Sequence, residues 1–148
     1  MKISDFLGAA DVAVDLKASG KQQLLRELAQ KAAGALHLAA DPIAAELVKR
    51  ESLGSTGLGG GVAIPHARFA DLKAPHAVLV RLRRAIDFEA IDGQPVDIVF
   101  LLLLPSDKAG EQLNALASVA RRLRNADVLR SLRGAADAAA MYSVMCGE

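Results

Sequence analysis

The sequence predicts a single compact α/β domain, a mixed parallel and antiparallel sheet with helices on both faces. Three observations carry this. Residues 96–104 are almost continuously apolar, as a central strand covered on both faces must be. Short strand-like runs alternate with helical periodicities along the chain. The connection between the second and third strands is short, which suits an antiparallel pair. At 148 residues and 52% hydrophobic content the chain is long and apolar enough for one sizeable core. It has no internal repeat or long linker, so one domain is expected over residues 1–148.

The elements follow in order. Val12, Val14 and Leu16 alternate with Ala13 and Asp15, the pattern of a short strand. Ser19 with Gln22 three residues on resembles a capping box, and Leu24, Leu25, Leu28, Ala32 and Leu36 then recur at helical spacing. His37 falls at that helix's end, read as solvated. Asp41-Pro42 reads as an N-cap followed by proline at the first helical position, opening a helix through Ile43 and Leu47 that stops at Gly54. A short buried strand is expected over 62–64, ended by Pro65, then one over 77–82 starting beside a surface His76, with a possible return at 86–88. Asp92 and Asp97 read as turn formers around the strand over 96–104. Beyond Pro105, Leu113, Leu116, Ala117, Ala120 and Leu123 mark a helix ending in a solvated Arg121, Arg122 and Arg124. Val128, Leu129 and Leu132 mark a short helix to Gly134, and residues 136–145 a last one.

Composition narrows the function classes. A net charge of +1 gives no basic excess for nucleic acid or an anionic membrane, and 3% aromatic residues leave no base-stacking platform. One cysteine, Cys146, cannot form an internal disulfide, which fits a reducing compartment. The start of the chain lacks a signal-peptide core and no apolar run approaches a membrane span, so a cytoplasmic protein without membrane insertion is expected.

The chemistry concentrates between Gly54 and Arg68. Five glycines fall within residues 54–61, and the apolar run Val62-Ala63-Ile64-Pro65 leads to His66. The stretch reads either as a flexible loop, short strand and surface histidine, or as an anion-binding loop that presents a histidine. Arg50, in the last turn of the preceding helix, either complements the helix dipole or places a cation at that site. The glycines fit no dinucleotide fingerprint, since the third would fall at Val62 and the loop follows a helix. No Gly-Lys-Ser/Thr follows for a P-loop, no Gly-x-Ser-x-Gly elbow occurs, and His37, His66 and His76 lack metal-ligand spacing, so neither metal nor cofactor is expected. His66 remains. A neutral imidazole is a good nucleophile near pH 7 and can carry a phosphoryl group, whose transfer needs chiefly positioning and positive charge. Donors from the loop and Arg50 are candidates to supply both.

Arg50-Glu51-Ser52-Leu53-Gly54-Ser55-Thr56-Gly57-Leu58-Gly59, running into Gly61-Val62-Ala63-Ile64-Pro65-His66, resembles the enzyme IIA proteins of the fructose/mannitol superfamily of the bacterial phosphoenolpyruvate-dependent phosphotransferase system. Asp92-Gly93-Gln94-Pro95-Val96-Asp97 and the apolar run to Pro105 resemble the family's next signature. A free-standing domain of this length looks most like the nitrogen-regulatory branch. The resemblance implies that His66 is phosphorylated and that Arg50 helps to hold the phosphoryl group. Ser55, Thr56, Gly59, Gly61 and Gln112 are further phosphoryl-binding candidates. It implies a small histidine phosphocarrier protein as donor. Downstream it implies regulatory targets, such as potassium-transport proteins or sensor kinases, or else a sugar-specific enzyme IIB. The chain departs from the pattern at Gln112, where most members carry a second active-site histidine, and at Gly60, where relatives often carry a polar residue. Gln112 keeps open a third reading, an interaction module with impaired transfer. Leu53, Leu58 and Ile64 are expected to rim an apolar docking surface for the donor.

Overall fold

A computed structural model describes residues 2–107 and 109–147. Its centre is a six-stranded mixed sheet of β1 (Val12–Leu16), β2 (Gly57–Gly59), β3 (Val62–Ala63), β4 (His66–Phe69), β5 (His76–Ile86) and β6 (Val96–Pro105). Helices α1 (Lys21–Leu36) and α2 (Ala40–Ser52) cover one face, and α3 (Ala109–Arg124), α4 (Ala126–Gly134) and α5 (Ala138–Cys146) the other. The strands lie in the order β1-β5-β6-β3-β2, with β4 also on β6. β1 is parallel to β5, β5 antiparallel to β6, β3 and β4 parallel to β6, and β2 antiparallel to β3.

β6 holds the middle because both of its faces are apolar. Val99, Leu101 and Leu103 enter the layer beneath α1 and α2, while Ile98, Phe100, Leu102 and Leu104 enter the layer beneath α3 to α5. None of these seven is more than 3% exposed, as a strand sandwiched between helices requires. α1 lays Leu24, Leu25, Leu28, Ala29 and Ala32 on one layer, and α3 lays Ala115, Val119 and Leu123 on the other.

Several local expectations are corrected. α1 begins at Lys21 with Gly20 as its N-cap, and the Gln23 side chain, not Gln22, accepts from the Ser19 N–H, so no Ser19–Gln22 box forms. α2 starts at Ala40 rather than after an Asp41 cap, so Pro42 sits inside its first turn, where its missing N–H has no intrahelical partner to lose. His37 ends α1 in the left-handed conformation at φ 57°. β5 continues through Ile86 as one strand, with a register slip after Arg81 in place of a return. Leu113 stands 68% exposed, and Arg122 turns from solvent to donate to the Val144 carbonyl. β2 and β4 were not expected. Pro65 interrupts the strand beside β6 without ending it: Val62 opposite Ile98 and His66 opposite Leu102 share one register, and the Pro65 carbonyl accepts from Leu102 N–H at 2.9 Å.

Candidate functional site

His66 opens β4, on a strand clamped along β6 by parallel pairing. Val62 and Ile64 face the α3–α5 layer, and strand alternation directs the half-buried His66 to the same side. Its Nδ1 lies 2.8 Å from the Ile64 carbonyl oxygen. A carbonyl only accepts, so Nδ1 carries the proton and the neutral ring presents its lone pair at Nε2. Burial is the main cause that holds the ring's pKa below 6.5. The Ile64 bond opposes it, the nearby positive charges of Arg50 and Arg68 add to it, and Glu51 opposes it. The net effect favours the neutral ring at pH 7.

Arg50 lies in the last turn of α2, where its guanidinium donates to the Gly54 carbonyl at 2.9 Å. One bond of five possible N–H donations anchors the head at the start of the glycine stretch. Arg68, two residues beyond His66 on the same strand, is a second nearby cation that sequence reasoning assigned no role. The i, i+2 spacing on a strand would have placed it on the histidine's face, but the strand itself was not foreseen.

Glu51 was also passed over. It is 9% exposed and takes an ion pair from Lys21 Nζ at 2.8 Å. It also accepts from the backbone N–H of Thr56, at 3.2 Å and 3.3 Å to its two oxygens, and from the Thr56 hydroxyl. Lys21 lies 4.7 Å from the centroid of the buried Phe88 ring. This network ties the start of α1, the end of α2 and the beginning of the glycine stretch behind the histidine.

The remaining candidates divide. Arg50 and His66 are brought within electrostatic reach of each other. The Thr56 hydroxyl gives its only proton to Glu51. Ser55 Oγ donates to the Phe88 carbonyl at 2.9 Å and accepts from Gly57 N–H at 3.1 Å, so both hydroxyls are turned into the protein. Gly59 and Gly61 are not brought to His66. They flank the tip of the β2–β3 hairpin, with Gly61 level with Asp97, whereas His66 is level with Leu102, five residues or about 16 Å further along β6. That tip is structural: Gly60 donates to Asp92 at 2.9 Å and accepts from Arg133 at 2.6 Å, and Arg133 also pairs with Asp97 at 2.9 Å. Gly61 stands at φ 82°, where a Cβ would come within 2.4 Å of the Arg133 guanidinium. Asp92 and Asp97, read as bare turn formers, are therefore the clamps of the hairpin, and the Gly60 and Gln94 N–H bonds hold the Asp92 carboxyl below its ordinary pKa.

Gln112 is buried on α3. Its Nε2 donates to the Pro105 carbonyl and its Oε1 has no hydrogen-bond partner among the described residues. Leu53 is 81% and Leu58 36% exposed, as a docking rim needs, but Ile64 is 2% exposed and belongs to the core. His76 is not a surface residue: its ring is largely buried, with Nε2 3.8 Å from the Asp11 carboxylate. Among the described residues no group of three or more His, Cys, Asp or Glu side chains is placed to hold a metal ion, and no helix is long and apolar enough to cross a membrane.

Comparison with known proteins matches this arrangement. The family model for the phosphoenolpyruvate-dependent sugar phosphotransferase system, EIIA 2, matches residues 5–146. A nitrogen regulatory protein of Bradyrhizobium diazoefficiens is 44% identical over 145 residues, covering 98% of this chain and 95% of its own. Another, of Pseudomonas aeruginosa, is 39% identical over 89% of this chain and 86% of its own. The crystal structure of nitrogen regulatory protein IIA-Ntr from Neisseria meningitidis superposes with a TM-score of 0.92 at 32% identity, covering 97% of this chain and 98% of that one. The IIA mannitol structure from Escherichia coli shares the fold, with a TM-score of 0.79 at 16% identity over 93% and 97% of the two chains. The chain therefore belongs to the EIIA type 2 family of the phosphoenolpyruvate-dependent phosphotransferase system and resembles its nitrogen regulatory proteins.

Proposed function

We propose that the chain, as one EIIA type 2 domain over residues 1–148, is a phosphoryl carrier that accepts a phosphoryl group on His66 Nε2 from a histidine phosphocarrier protein, with a regulatory output. The observation that carries this reading is the Nδ1–H bond to Ile64, which fixes the tautomer and leaves one nucleophilic nitrogen. The Nε2 lone pair attacks phosphorus as the donor's N–P bond breaks, and the donor ring leaves with that bond's electron pair. The proton stays on Nδ1. The phosphorylated ring is then cationic, and the Ile64 carbonyl and the Glu51 charge both favour it. Arg50 and Arg68 face the charge on the phosphoryl oxygens.

The nitrogen-regulatory reading rests on the likeness to nitrogen regulatory proteins over nearly the whole chain. Its targets would be potassium-transport or sensor-kinase proteins that distinguish the phosphorylated from the free form. A sugar-transport role feeding an enzyme IIB is the second reading, supported by 28% identity to a fructose-specific EIIABC component of Bacillus subtilis. Incubation with phosphoenolpyruvate, enzyme I and the phosphocarrier protein should add one acid-labile phosphoryl group. Rapid passage of that group to an enzyme IIB would favour the sugar reading. No uptake from competent donors would leave only the interaction module.

Two further outcomes are expected. Leu53→Glu and Leu58→Glu should raise the donor concentration needed for half-maximal transfer roughly tenfold without lowering the melting temperature, because each removes exposed apolar contact area. Unchanged donor dependence in both would remove these leucines from the docking surface. Gln112→His should alter the rate or pH profile of transfer, since imidazole titrates near neutrality and an amide does not. An unchanged rate and profile would deny position 112 any part in transfer.

A further inference from the structure

A second feature lies apart from His66, at the corner of the sheet where β1 ends and α1 begins. A cleft of about 490 Å³ is lined by Lys17, Ala18, Ser19, Gln23, Arg83 and Arg84. That volume is in the range of small-molecule sites. Half of its lining residues are cations and none is a carboxylate. Lys17, Arg83 and Arg84 have no ion-pair or hydrogen-bond partner among the described residues. Other arginines of this chain are engaged: Arg81 bonds the Leu132 and Ala135 carbonyls, Arg130 pairs with Asp127, and Arg133 with Asp97.

The backbone is shaped to open this corner. Adjacent residues of a regular strand face opposite sides, yet Arg83 and Arg84 both line the cleft. The β5–β6 register slips between Arg81 and Ile86, and the β1–β5 register slips between Ala13 and Leu16, where Asp15 stands at φ 56°. Irregularities of this kind re-aim side chains at functional sites. Asp87, the nearest carboxylate beyond the two arginines in the chain, accepts from Glu89 N–H. α1 starts at the cleft's rim with glycine as its N-cap, no side-chain cap and no acidic residue in its own first turn, and the carboxylates near its start, Glu51 and Glu89, are paired with Lys21.

We propose that this cleft binds a small phosphate-bearing metabolite with at least two negative charges. Two guanidinium forks match phosphate oxygens bidentately, and an ammonium group and a helix N-terminus add charge at the same place. The proposal does not depend on phosphoryl transfer at His66.

Titration of the full chain with inorganic pyrophosphate, followed by calorimetry and by amide chemical shifts, tests it. Saturable binding with a dissociation constant below about 1 mM is expected, with shifts centred on residues 17–23 and 83–84. Arg83→Ala/Arg84→Ala should weaken it at least roughly tenfold, and since both side chains are exposed the melting temperature should hold. Arg121→Ala, in the arginine cluster of α3, and His66→Ala should leave it intact. Binding that fails to saturate, or that survives the double substitution, would overturn the site. Equal affinity for citrate would overturn the phosphate class.

Discussion

Glu51→Ala is expected to lower stability by about 3–5 kcal/mol, the effect of removing one partner of a buried ion pair. Glu51 and Lys21 side chains are 5% and 13% exposed and 2.8 Å apart. Without the carboxylate, Lys21 keeps only the Phe88 ring and a 3.5 Å contact to the exposed Glu89. Thr56 loses the acceptor for both its N–H and its hydroxyl. For a domain of this size the melting temperature should fall by roughly 10 °C. Glu51→Gln should lose less, because an amide oxygen still accepts from Thr56. Urea denaturation of the three proteins measures both differences. A loss below about 1 kcal/mol for Glu51→Ala would show that the network does not hold the end of α2 to the glycine stretch.

Arg50→Ala is expected to slow phosphoryl acceptance by about 10²–10³-fold while the fold persists. The side chain lies at a helix end and donates a hydrogen bond to the Gly54 carbonyl, so little packing is lost. Arg50→Lys should recover only part of the rate, since an ammonium cannot bridge two phosphoryl oxygens as a guanidinium does. The pH profile should move as well. Arg50 lowers the His66 pKa, so its removal lets that pKa rise. The ring then becomes neutral only at higher pH, and the acidic limb of the rate profile shifts upward. In the unaltered protein, burial of the ring should hold that limb below the range of a free imidazole. A single-turnover rate within about threefold of the unaltered protein would remove Arg50 from the phosphoryl clamp.

Much of this was legible in the chain. The continuous apolar run of β6 and the periodicities of α1 and α3 announce a helix-covered sheet, because burial on two faces or one stripe writes itself into residue spacing. The order Arg50, glycines, Pro65, His66 marks the histidine that we propose as the nucleophile. What was not legible depended on distant partners. Thr56 reads as an anion ligand until Glu51 is seen to take its proton. Gly59 and Gly61 read as phosphate cradles until β6 pairing carries them to the far tip of a hairpin clamped by Asp92, Asp97 and Arg133. Ile64 reads both as part of a short buried strand and as a docking rim, and the packing of its side chain beneath α3 to α5 decides for the core. Arg68 was missed for the same reason: a proline usually ends a strand, and here the register runs through it.

The central claim is that His66 Nε2 carries the phosphoryl group. Its most direct test is nitrogen-15 NMR of the histidine side chains after incubation with phosphoenolpyruvate, enzyme I and the phosphocarrier protein, beside His66→Ala. The account predicts one phosphorylated ring, with phosphorus coupled to Nε2 and Nδ1 still protonated, and no phosphorylated histidine in the variant. Phosphorus coupled to Nδ1, or a phosphohistidine that persists in His66→Ala, would contradict it.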